Sequence, residues 1–75
     1  MRGETSKQRL ETIEAPYNRM VWLDEVTFDS GMRLLRVTIR EGRRITQLDV
    51  DPATAASWGE AMLTWSRSAV ADEPA

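Results

Sequence analysis

The chain contains no histidine and no cysteine. Without an imidazole or a thiolate, Ser-His-Asp and Cys-His catalysis are excluded, and so are the usual nitrogen and sulfur ligands of zinc. Disulfides are excluded too, which fits a reducing compartment. Glycine is scarce, at four residues, and none of them builds a G-x-G-x-x-G turn or a phosphate loop. No apolar run approaches the ~20 residues of a membrane span. The N-terminus lacks the apolar stretch of a secretory signal, so a cytoplasmic location is expected. Neither sign of charge dominates: ten Lys and Arg against twelve Asp and Glu leave a net charge of −2. That balance gives no global attraction for nucleic acid or an acidic membrane. There are no internal repeats and no low-complexity tracts.

What is present is concentrated around Met32–Val50. Leu35, Val37 and Ile39 alternate with Arg36, Thr38 and Arg40, and a second alternating run follows Glu41-Gly42-Arg43-Arg44. Gly42 accepts φ > 0 without a Cβ clash, as the first central position of a type II′ turn requires. With Gly42 and Arg43 as the loop, Leu35 faces Val50, Val37 faces Leu48 and Ile39 faces Thr46 on one face. Arg36 then sits beside Asp49, Thr38 beside Gln47 and Arg40 beside Ile45 on the other. A slip of one residue would break this sorting, so the pattern specifies the register.

Arg19–Phe28 is rich in β-branched and aromatic residues and reads as the preceding strand. Asp29-Ser30-Gly31 follows as a turn. A three-residue loop pairs Phe28 with Met32, Val21 with Ile39 and Leu23 with Val37, and it puts Asp24 beside Arg36. A two-residue loop would bring Asp24 onto the apolar face, so three residues are preferred. Upstream, residues 8–14 fit a strand or a helical turn, with a strand preferred. Pro16 makes Ala15–Asn18 a connector. Downstream, Asp51-Pro52 has the cap and first-position chemistry of a helix start. Ala55, Trp58, Gly59, Met62, Trp65 and Ala69 fall on one face at helical spacing. They are expected to pack on the sheet, with Gly59 allowing a close approach.

The expected fold is α+β: an antiparallel meander of three or four strands, with one C-terminal α-helix packed on one sheet face. One domain over 8–69 is expected, with disordered ends at 1–7 and 70–75. A core in 75 residues is small, so dimerisation is a route to more buried area.

The segments APY, SGMRLLRVTIREGRR and LDVDPATAASWGEAM resemble a family of short alphaproteobacterial proteins, a domain of unknown function, over roughly Ala15–Trp65. The resemblance implies a bacterial cytosolic origin and carries over no site residues. A weaker resemblance is to single-strand DNA-binding transcriptional coactivators built as a meander plus helix. Arg43-Arg44-Ile45, Leu48 and Trp58 loosely echo their run of basic hairpin, strand and helix, and the lysine-rich character of such binders is missing here.

Carboxylates are the remaining catalytic currency, and each has a plainer role. Asp49 pairs with Arg36, Asp51 caps the helix, and Asp24 and Glu25 point to opposite faces of one strand. No set of converging oxygens suggests a hard-cation site. A metal, a cofactor and an enzymatic activity are therefore not expected.

Two binding surfaces are expected instead. The register leaves Trp22, Val26, Phe28, Met32, Leu34 and Ile45 on the face away from the helix. An apolar face open to water is unusual in a monomer, so a second chain or the N-terminal segment should cover it. The leading expectation is a homodimeric interaction or regulatory domain using this face or an edge strand. The alternative is a single-stranded nucleic-acid binder using Arg40, Arg43 and Arg44 for phosphates and Trp22 for a stacked base.

Overall fold

The computed structural model describes residues 3–72. Along the chain the elements are β1 (Glu4–Ala15), β2 (Arg19–Phe28), β3 (Arg33–Glu41), β4 (Arg44–Val50) and α1 (Pro52–Asp72). The strands form one antiparallel sheet in the order β1-β2-β3-β4. The α+β meander followed by a helix is the architecture expected from the sequence.

The two central pairings follow the hydrophobic pattern. Leu35 lies opposite Val50, Val37 opposite Leu48 and Ile39 opposite Thr46, while Arg36, Thr38 and Arg40 face Asp49, Gln47 and Ile45. Gly42 has φ 61° at the β3–β4 turn. Between β2 and β3 the three-residue loop is used: the Gly31 N–H donates to the Phe28 carbonyl at 2.8 Å and the Phe28 N–H donates to the Met32 carbonyl at 2.9 Å. Gly31 supplies the positive φ, 90°, that this loop needs. Val21 consequently faces Ile39 and Leu23 faces Val37.

β1 is a full edge strand of twelve residues. Residues 8–14 are extended rather than a helical turn. The strand also takes in Glu4–Lys7, within the stretch 1–7 expected to be disordered. The reason is pairing: Ser6 and Lys7 lie opposite Thr27 and Val26, whose outer backbone groups would otherwise have no strand beside them. The Thr5 hydroxyl donates to the Thr27 carbonyl at 3.0 Å. Register shifts at Glu4/Ser6 and Arg9/Glu11 twist this edge, which discourages further pairing. The helix likewise continues to Asp72, past the expected limit at 69. The parts of the two expected disordered ends that fall at 1–2 and 73–75 lie outside the described residues.

The helix starts where its cap chemistry places it. The Ala55 N–H donates to the Asp51 carbonyl at 2.9 Å. The Asp51 carboxylate accepts from the Thr54 side chain and from the N–H groups of Thr54 and Ala53, which holds its pKa below the ordinary carboxylate value. Beyond that start, α1 packs on the sheet only loosely, mainly over β3.

The face of the sheet away from α1 carries an interlocked charged row among apolar residues such as Trp22, Val26 and Leu34. The register sets Arg9, Asp24, Arg36 and Asp49 side by side across all four strands. Arg9 Nε donates to Asp24 Oδ1 at 2.6 Å. Arg36 forms a bidentate pair with Asp49, at 2.8 and 3.0 Å, and reaches Glu4 at 3.1 Å. Asp49 lies below its ordinary pKa because it accepts these bonds from Arg36. The expected Asp24–Arg36 neighbours are adjacent, but the ion-pair partner of Asp24 is Arg9, on a strand whose register the sequence left open.

The described fold is open for its size. Its accessible surface is 5972 Å², against about 4,700 Å² for a compact monomer of 8.5 kDa. The radius of gyration is 15.1 Å, against about 11 Å for a compact 75-residue chain.

Candidate functional site

An apolar part of this open surface lies between α1 and the sheet. Strand alternation sends Ile13 from β1, Val21 and Leu23 from β2, and Leu35, Val37 and Ile39 from β3 to one face. Helical spacing sends Ala55, Trp58, Gly59 and Met62 toward the same face. Together these residues line an almost wholly apolar cleft of about 380 Å³.

Geometry explains why the cleft stays open. Four strands set roughly 4.8 Å apart span about 14 Å between the outer axes. One helix with its side chains is about 10–12 Å across. A single helix covers such a face only when it packs closely, and this one packs loosely, mainly over β3. Val37 and Val50 are buried, but Ile13 and Leu48 remain exposed.

The helix leaves its own apolar stripe uncovered. Met62 is 61% exposed and Trp65 is 71% exposed, and Trp58 and Leu63 are exposed as well. This corrects the expectation that Trp58, Met62 and Trp65 belong to the core. Gly59 was expected to permit a close approach, yet a Cβ built there would meet nothing within 4 Å.

The second sheet face differs from expectation in the opposite sense. Of the six residues proposed there as a dimer surface, Val26 is fully buried at 0% exposure. Trp22, Phe28 and Leu34 are half-buried. Only Met32 and Ile45 are exposed. Met32 sits at the Phe28 end of β3 and Ile45 pairs with Arg40 at the other end. They do not form one patch. The long side chains of β1 account for the change: Arg9 and Glu4 lie across this face and bring its charges together. Within β1, Arg9 and Glu4 lie on that face, whereas Ile13 lines the cleft on the other.

The residues proposed for anions are partly assembled. Arg40 lies over the Trp22 ring, 5.9 Å from its centroid, and Arg9 lies over the same ring at 5.8 Å. Two guanidinium groups thus flank the Trp22 ring. Arg43 and Arg44 are exposed at the β3–β4 turn. The structure adds two residues that the sequence reading missed. Ala15 pairs with Arg19, and Arg19 pairs with Glu41, so the β1–β2 turn sits at the same end of the sheet as the β3–β4 turn. Tyr17 in that first turn is 87% exposed. The available signal was the hairpin character of β1–Pro16–β2, read only as a connector.

Among the described residues no group of three or more Asp and Glu is placed to hold a metal ion. No helix among the described residues is long and apolar enough to cross a membrane.

A family model described as a family of unknown function (DUF6967) matches residues 4–68. The resemblance of the central segments to a domain of unknown function thus extends further toward the N-terminus than Ala15, through the whole of β1. No curated protein matches the chain, and no solved structure matches it.

Proposed function

We propose that this chain, which belongs to the family of unknown function (DUF6967), is a non-enzymatic interaction domain that works as a homodimer. The observation that supports it is the open cleft between α1 and the sheet, together with the exposed stripe Trp58–Met62–Trp65 on the same molecule. Trp58 and Met62 form the helix wall of the cleft, and the stripe runs on past it to Trp65, so cleft and stripe are one continuous apolar surface. A two-fold axis lets each chain present that surface, which is how one patch serves two copies.

The areas agree with this reading. The chain exposes on the order of 1,000 Å² more than a compact monomer of its mass. A stable interface needs about 800 Å² from each partner. The second copy therefore seats its helix against the first copy's cleft, and the interface lies on the helix side of the sheet. The charged row Arg9–Asp24–Arg36–Asp49 stays on the outer surface.

Sedimentation and light scattering test the proposal with two charge insertions. Met62 and Ile45 are both exposed in the protomer, so a glutamate at either position leaves the fold intact by far-ultraviolet circular dichroism. The wild-type chain runs as a dimer at micromolar concentration. Met62→Glu runs as a monomer and Ile45→Glu remains a dimer. A wild-type monomer at high micromolar concentration removes the proposal. Dissociation by Ile45→Glu alone moves the interface to the other sheet face.

A further inference from the structure

The end of the sheet that carries the two tight turns holds the molecule's most unusual backbone. Tyr17 and Asn18 have φ 63° and 60°, both in the left-handed region, in the loop between the paired residues Ala15 and Arg19. Asn tolerates that region because its short side chain bonds locally, but a tyrosine there is an outlier held against a steric penalty. Tyr17 makes no return on this strain by packing, because it is 87% exposed. A strained, solvent-directed aromatic is the observation from which a functional role is argued.

The surroundings of Tyr17 are basic. The Arg19 guanidinium lies over its ring at 5.6 Å and bonds Glu41 at 2.7 Å. Arg43 and Arg44 lie at the neighbouring turn and Arg40 in β3 just before it, and none of the three has an ion-pair partner among the described residues. Among the described strand residues the acidic groups at this end are Glu14 and Glu41, and Glu41 is already engaged by Arg19. The tip is thus locally positive on a chain whose net charge is −2.

We infer that this tip binds single-stranded nucleic acid. Tyr17 offers the planar face on which a base stacks, and Arg40, Arg43 and Arg44 contact the phosphates on either side. An acidic peptide would use the arginines equally well and would leave Tyr17 unexplained. The inference does not depend on dimerisation, because every residue it uses belongs to one protomer and lies away from the cleft.

The test is fluorescence anisotropy of a labelled twenty-nucleotide single-stranded DNA titrated with the full chain over a range of salt concentrations. Binding weakens as salt rises, with a log–log slope of about −2 for three phosphate contacts at the single-strand value of about −0.7 each. Tyr17→Ala lowers affinity roughly ten-fold and leaves the slope unchanged, as expected for a stacking contact. Arg43→Ala with Arg44→Ala flattens the slope by about 1.4. Sedimentation of each variant checks that the fold and assembly are retained. Three results overturn the inference: no binding at low salt, no effect of Tyr17→Ala, or equal competition by poly-glutamate. The last identifies a site for acidic chains instead.

Discussion

Trp65 separates the homodimer from the isolated protomer more sharply than any other position. In the protomer its side chain is 71% exposed. Replacing it with alanine there removes almost no packing, and a surface substitution of this kind changes stability by no more than about 0.5 kcal/mol. In the proposed dimer the same side chain enters the partner's interface. A fully exposed Trp offers on the order of 250 Å², so about 180 Å² is newly buried, worth roughly 4 kcal/mol at 25 cal/mol per Å² as an upper bound. Halving that for incomplete burial leaves about 2 kcal/mol per chain, the threshold of an interface hot spot. The two-fold axis applies the change twice, so Trp65→Ala should weaken the dimer by about 4 kcal/mol, close to a thousand-fold in Kd. Sedimentation equilibrium gives the dissociation constant directly. Urea denaturation at low and high protein concentration gives it again, since only a dimer has a concentration-dependent midpoint. The wild-type midpoint should rise with concentration, and the variant's should do so only at much higher concentration. A wild-type midpoint independent of concentration refutes the reasoning. So does a variant whose Kd lies within three-fold of the wild type.

Val26, fully buried on the sheet face away from α1, gives the control. Val26→Ala should cost about 2 kcal/mol of folding stability through lost burial and the cavity left behind, equally in monomer and dimer, as read from denaturation midpoints. Tyr17→Asn should leave the midpoint at or above the wild-type value, because Asn accepts the left-handed conformation, while lowering affinity for single-stranded DNA. The acid limb of stability should carry the signatures of Asp49 and Asp51. Both have folded pKa values below the ordinary carboxylate value, Asp49 through Arg36 and Asp51 through Thr54 and the first helical N–H groups. Their contributions are therefore fully present above the unfolded value near pH 4 and are lost as pH falls through the lower folded values. Asp51→Ala should destabilise the chain at neutral pH and flatten this acid limb. A limb of unchanged steepness would show that the cap carboxylate is not coupled to folding.

The parts of this fold that were legible in the sequence are those fixed by local rules. Alternation of period two over Leu35–Ile39 and its mirror in Thr46–Val50 admits one register, because a single slip would send Leu48 and Val50 to the charged face. Gly31 and Gly42 mark loops that require positive φ. Asp51-Pro52 marks a helix start through hydrogen-bond chemistry within one turn. β1 was less legible because its two register shifts break the alternation that identifies a strand. Its residues are mostly polar, and the pairing that orders them comes from β2.

The candidate sites divide in the same way. Sequence by itself determined which residues share a face, so the stripe Ala55–Trp58–Gly59–Met62 and the face Val21–Leu23–Leu35–Val37–Ile39 were both identifiable. Sequence also located the arginines of the β3–β4 turn. It did not determine which apolar face is open, because that depends on widths and distances rather than on periodicity. Arg9 and Glu4 reach across the second face only because a bulged β1 pairs with β2. The helix leaves the other face partly open because it packs only loosely on the sheet. The strained Tyr17 joins Arg43 and Arg44 only when two hairpins bring separate turns to one end of the sheet. Local chemistry is written residue by residue along the chain, whereas coverage and convergence are properties of elements placed in three dimensions, and only the tertiary structure decided them.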